Sequence, residues 1–187
     1  GEQKKYELLA KKKTTTNDMA NEAMAKLLLT CLERGGGLNS RAFDRSYLFS
    51  QDIVCIECAQ ITIDNGAGTI TELKSYLEAN KPKGGISDKT YIELLTKNEE
   101  HKQAYLEFGY RTGSMPSNDL ASVFSPGNDY ASFFVGIKKG SFDNWWNRFT
   151  AAISGDFIRA VVGSSDTYYS YVAHSSRLPN VCDRKVN

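Results

Sequence analysis

The chain of 187 residues is short of several things at once. It has 4 cysteines, 2 histidines and 4 prolines, and Lys+Arg 23 against Asp+Glu 22 leaves a net charge of +1. That charge balance gives no sign of a globally basic nucleic-acid binder. No apolar run approaches the roughly 18–20 residues of a membrane span, and the opening Gly1-Glu2-Gln3-Lys4-Lys5 lacks the apolar stretch of a signal peptide. Four cysteines are too few for a disulfide scaffold of this size. Cys55 and Cys58 have metal-like spacing, but a zinc site needs two further ligands, and neither His101 nor His174 sits in a matching pair. The two cysteines also lie three apart on an expected strand, which turns them to opposite faces. The cysteines therefore read as buried structural thiols, and no metal site is expected.

What is present suits a folded domain. Hydrophobic residues make up 41% and charged residues 24%, enough apolar content to bury a core and too much for disorder. Behind a lysine- and threonine-rich start, a helix begins at Asn17 or Asp18, carries Met19, Ala23, Leu27, Leu28 and Cys31 on one side, and stops at Gly35-Gly36-Gly37. The run Ile53 to Ile63 is a strand that ends at the turn Asp64-Asn65-Gly66. A second helix follows Thr69-Ile70-Thr71-Glu72, which fits a capping box, with Leu73, Tyr76 and Leu77 as its stripe. A third starts at Ser87 or Asp88, presents Tyr91, Leu94 and Leu95, and has a polar, solvated far half from Lys97 to Gln103.

Composition changes after residue 104, giving an expected division into a helix-rich region 1–104 and a second unit 105–187. In the second unit Ala104–Arg111 reads as a strand and 112–129 as turn-rich. Ser141–Ile153 reads as a helix with Phe142, Trp145, Trp146, Phe149 and Ile153 on one stripe, and Thr167–Ala173 as a strand. The fold class expected is α+β. The aromatic density of Trp145, Trp146, Tyr168, Tyr169 and Tyr171 serves a core first and ring stacking second.

The informative segment is Phe108-Gly109-Tyr110-Arg111-Thr112-Gly113-Ser114-Met115-Pro116. An arginine at the end of an apolar strand sets a planar donor fork beside a cleft mouth, suited to a phosphate or a ribose-bearing ligand. Downstream come Phe124-Ser125-Pro126-Gly127, the aromatic helix closing on Ile153-Ser154-Gly155, then Gly163-Ser164-Ser165-Asp166, and the strand Tyr171-Val172-Ala173-His174-Ser175-Ser176. In this order the stretch 105–177 resembles the pertussis-type ADP-ribosyltransferase toxins, the family that includes the enzymatic subunits of cholera and typhoid toxins. Those carry an aromatic-Arg strand, a Ser-x-Pro turn, a Phe-x-x-Gly turn, and a strand ending in Ser-Thr-Ser.

The resemblance implies a mixed α/β domain around a split NAD cleft, incomplete in this chain, with NAD as the substrate. It implies that Arg111 holds the NAD phosphate or ribose, with Tyr110, Ser114 and Ser175 around the nucleotide. It further implies a secreted or delivered effector acting on a target protein in a host or competitor cell, with a companion C-terminal fragment or a delivery subunit. Gly113 stands where the family has an acidic residue. No residue matches the family's catalytic glutamate, the carboxylate that stabilises the oxocarbenium-like centre. A non-enzymatic interaction protein, such as an immunity, capsid or adaptor domain, is the alternative. A hydrolase using Cys31 or Cys182 with His174 is a third, for which nothing in the sequence pairs the residues.

Overall fold

A computed structural model of the chain describes residues 6–8, 17–40, 53–85, 87–110, 123–141, 165–177 and 184–186. In chain order these form β1 (Tyr6–Leu8), α1 (Asn17–Arg34), β2 (Ile53–Ile63), α2 (Leu73–Ala79), α3 (Tyr91–Leu95), α4 (Glu99–Gly109), β3 (Asp129–Ile137), β4 (Thr167–His174) and β5 (Arg184–Val186). The class is α+β. No helix among the described residues is long and apolar enough to cross a membrane.

The sheet runs β1-β2-β3-β4, with β2 antiparallel to β3 and β3 antiparallel to β4. β1 and β5 both lie parallel to β2, β1 against Ile61–Ile63 and β5 against Val54–Ile56. One edge of β2 thus receives strands from both ends of the chain. The Ile- and Val-rich run of β2 is suited to a pleated, buried surface, and its bounds match the sequence expectation. Its register slips between Glu57 and Ala59. Cys55 pairs with Val135, while Ile61 pairs with Tyr130. The odd-numbered side chains of β2 therefore change face at the bulge, as one extra residue requires. β3 has no counterpart among the sequence expectations, although Asp129 and the Lys138-Lys139-Gly140 turn bracket its apolar run.

Helices cover both faces of the sheet. α1 lies on the face carrying Phe134, Tyr168 and Ser170. The Ser170 hydroxyl donates to the Leu28 carbonyl at 2.8 Å, and a Cβ on Gly35 would run into the Phe134 ring. α4 lies on the other face, where Tyr105 stacks on Tyr171 with ring centroids 4.6 Å apart. α2 and α3 pack on α1.

Four expectations are corrected. α1 has the expected length, but its buried line is Ala20, Met24, Ala25, Leu28, Cys31 and Leu32, and Met19 is 57% exposed. The helix is turned because its polar first turns are spent on an anchor. The Asn17 Oδ1 accepts from the Thr71 amide at 3.0 Å, and the Asn21 amide group donates to the Thr71 carbonyl at 2.7 Å. That anchor also displaces the capping box expected at 69–72. Ile70 and Phe124 exchange two backbone hydrogen bonds, and Glu72 sits at φ 67 with no side-chain cap bond.

The third helix is not continuous into its polar half. α3 is capped reciprocally by Thr90 and Glu93 and ends at Thr96, whose hydroxyl bonds the Ile92 carbonyl at 2.7 Å. Finally, the segment read as a strand over 104–111 is helical as far as Gly109. Asn98 accepts from the His101 amide at 2.9 Å, Glu99 and Glu100 occupy the first turn, and His101, Ala104 and Tyr105 fall at the i, i+3, i+4 spacing of one buried stripe. Residue 104 thus lies inside α4, and β2 pairs with β3 across that position. The helix expected from 141 to 153 lies, apart from Ser141, outside the described residues.

Candidate functional site

Of the four residues expected to hold a nucleotide, Tyr110 and Ser175 lie among the described residues. Arg111 and Ser114 lie outside the described residues. Tyr110 closes α4, its amide bonded to the Leu106 carbonyl at 3.0 Å, and it is 4% exposed. Its ring lies 5.8 Å from that of Tyr105, and burial pushes its hydroxyl pKa up to about 12. A ring buried in this way packs as part of the core. Ser175 opens a short 3₁₀ turn, Ser175–Arg177, beyond the end of β4, and is half-buried. Its neighbour His174 packs on Tyr130 with centroids 4.6 Å apart, on the α1 face and opposite the tyrosines that surround Tyr110. Phe124 to Gly127 is a turn as the spacing implies. The Ser125 amide donates to the Tyr130 hydroxyl at 2.8 Å, and Gly127 takes φ 77.

The cysteines are disulfide-bonded, which corrects the reading of free buried thiols. Cys31 in the last turns of α1 is bonded to Cys58 in the β2 bulge, 27 residues away with Cα atoms 5.4 Å apart. Cys55 is disulfide-bonded as well, and Cys182 lies outside the described residues. Cys55 and Cys58 do face opposite ways, as their spacing on a strand implies, and Cys58 is turned to α1. A nucleophilic role for Cys31 is excluded while that bond stands, since the thiolate is the nucleophile. Arg34 reinforces the junction by donating to the Cys58 carbonyl at 2.9 Å.

A second region has the geometry of a binding site. Between α1, the turn that follows it, and α3 with its preceding loop lies a cavity of about 630 Å³. Leu29, Leu32, Leu38, Pro82 and Leu94 form its walls and Tyr91 is part of its lining. At its rim Glu22 is held between Lys26, at 2.8 Å, and Lys83. Those two hydrogen bonds hold the Glu22 carboxyl below the usual carboxylate range, against the opposing effect of its burial. Tyr91 is fully buried beside this ion pair, and its hydroxyl has no hydrogen-bond partner. Burial, with the Glu22 charge adding, pushes its pKa up to about 12, so it is a protonated donor at neutral pH. No sequence pattern marked this cluster. Glu22, Tyr91 and Lys83 are far apart in the chain, and only the packing of α2 and α3 on α1 brings them together. Among the described residues no group of three or more His, Cys, Asp or Glu is placed to hold a metal ion.

Comparison with protein-family models, with curated proteins and with solved structures finds no match to this chain.

Proposed function

We propose that this chain is a disulfide-stapled, non-enzymatic interaction domain that works in an oxidising compartment. The observation that carries the reading is the Cys31–Cys58 bond, joined by a second disulfide at Cys55. Disulfides persist outside the cell or in equivalent oxidising spaces and are rare where glutathione keeps thiols reduced. Support also comes from how the expected site residues are spent. Tyr110 is consumed by the aromatic core, and the segment leading to Arg111 is a helix up to Gly109.

One observation favours the transferase reading as a second choice: the Phe124–Gly127 turn and the end of β4 at Ser175 follow in the order the resemblance needs. In that reading the chain carries the NAD-binding arginine, and a companion C-terminal segment supplies the carboxylate.

One experiment separates the two. The purified, non-reduced chain is titrated with NAD by calorimetry and assayed for nicotinamide release. The interaction reading expects no heat and no nicotinamide, and thiol labelling in denaturant without reductant that detects no reactive Cys31, Cys55 or Cys58. Saturable NAD binding that Arg111→Lys weakens tenfold, about 1.4 kcal/mol, would overturn it in favour of the transferase.

A further inference from the structure

The turn that follows β2 sets a side-chain amide beside an unshielded backbone nitrogen at an exposed tip. Asp64, Asn65 and Gly66 are all exposed, and Asn65-Gly66 is the only Asn-Gly pair in the sequence. The Ala67 amide donates to the Asp64 carbonyl at 2.9 Å, which makes Asn65 and Gly66 the central residues of a β-turn. Asparagine is among the chemically labile side chains of a protein. Glycine after it leaves the attacking nitrogen without a side chain to shield it.

Two contacts set this turn apart from a free Asn-Gly pair. The Gly66 amide donates to the Asp64 Oδ1 at 2.8 Å. That bond holds the proton Gly66 must lose before its nitrogen attacks, and the carboxylate charge opposes the anion that would form. The Asn65 Oδ1 lies against Gly127, where an added Cβ would come within 2.9 Å of it. The Gly127 amide donates to the Ile63 carbonyl at 3.2 Å, so the tip is joined to the Phe124–Gly127 turn.

We propose that Asn65 is a site of spontaneous modification through a succinimide, with the Asp64 carboxylate restraining its rate. The Gly66 nitrogen forms a bond to the Asn65 Cγ, the Cγ–Nδ2 bond breaks, and ammonia leaves with the proton given up by Gly66. Water then opens the ring at either carbonyl and leaves aspartate or isoaspartate at position 65. Water is the only co-reactant. Isoaspartate routes the backbone through one additional carbon, which disturbs the Asp64–Ala67 turn and the bond from Gly127 to Ile63. Both products place a new negative charge beside Asp64. The step is independent of the interaction-domain reading, because no cysteine and no NAD enters it.

The test incubates the intact, non-reduced chain at mildly alkaline pH, folded or unfolded in urea, and follows the tryptic peptide holding residue 65 by chromatography and mass spectrometry. The folded wild type should convert at Asn65, more slowly than the unfolded chain. Asn65→Gln and Gly66→Ala should suppress conversion. Gly66→Ala keeps the fold, since Gly66 is not among the residues at positive φ and its added Cβ would lie 3.5 Å from the Asp64 Oδ1, an ordinary contact. Asp64→Ala should speed conversion of the folded chain about tenfold, the effect of losing one hydrogen bond to a charged acceptor, and leave the unfolded rate unchanged. Asp64→Asn, which keeps an acceptor and loses the charge, should fall between. A folded wild type without aspartate or isoaspartate at position 65, after a period that converts the unfolded chain fully, overturns the proposal. So do equal rates for the folded wild type and Asp64→Ala, or Gly66→Ala converting as fast as the wild type.

Discussion

The two faces of the sheet are closed by different chemistry. On one, α4 is held by rings and hydroxyls: Tyr105 stacks on Tyr171, lies 5.6 Å from Tyr169, and donates to the Ser170 carbonyl at 2.9 Å, while the Tyr171 hydroxyl donates to the Tyr105 carbonyl at 3.2 Å. On the other, α1 is held by a covalent bond, by a serine-to-carbonyl hydrogen bond and by the close approach of Gly35 to Phe134. The first arrangement depends on four tyrosines keeping their places together. The second is pinned at one end, whatever its side chains do. The ring-based face should therefore lose more from a single truncation, and the stapled face should be the one that responds to reductant.

The largest effect is expected on the ring-based face. Tyr105 is fully buried and contacts Tyr110, Tyr169 and Tyr171. Tyr105→Ala should cost about 3–5 kcal/mol by leaving a cavity the size of the ring, and it also removes the hydrogen bond to the Ser170 carbonyl. A urea series that shows a loss below about 1 kcal/mol would mean that α4 does not pack on this face as described.

Somewhat less is expected from the staple. Closing a loop of 27 residues restricts the unfolded chain by about 3.5 kcal/mol in the chain-entropy estimate. Replacing Cys31 and Cys58 together by alanine should lower stability by about that amount. The same double variant should be far less sensitive to reductant than the wild type at this junction. An equal loss on reduction in both forms would place the reductant-sensitive contribution at Cys55 instead.

The contrast between the faces also explains what could be read from the sequence. α1 and β2 were legible to within a residue at their ends, because Asn17, the triple glycine and the Asp64-Asn65-Gly66 turn are local signals. The stapled face was not legible, since the Cys31–Cys58 pairing depends on how α1 packs on the sheet, and nothing local announces that packing. α4 was misread because Ala104, Tyr105 and Phe108 look as apolar in a strand as in a helix. The deciding information lay upstream, in the Asn98 cap and the acidic first turn. The rotation of α1 follows from a partner 54 residues away, Thr71. The candidate cleft was invisible for the same reason: its members are joined by packing, and no motif connects Glu22, Lys83 and Tyr91.

The smallest expected effect separates the two faces by pH. His101 on α4 is buried, and that burial, with Lys97 adding and Glu100 opposing, holds its imidazole below the ordinary value of 6.5. Because its folded pKa is depressed, the unfolded chain takes up the proton first. The contribution is whole above 6.5 and declines as pH falls through the folded pKa. Glu22 on α1 is also depressed, by its hydrogen bonds to Lys26 and Lys83, from 4.5. Its contribution is whole above 4.5 and is lost as pH falls through its own lower folded pKa. Acidification should thus weaken the α4 side first and the α1 side afterwards, in two windows. His101→Gln should flatten the stability profile just below 6.5 and leave the acid limb below 4.5 intact. Glu22→Gln should leave the upper window unchanged and reduce the slope of the lower one. Denaturant midpoints collected between pH 3 and pH 8 for the wild type and both variants test the assignment. A His101→Gln profile parallel to the wild type through the upper window would mean that this histidine titrates alike in the folded and unfolded chain, and the division of the two faces by pH would fail.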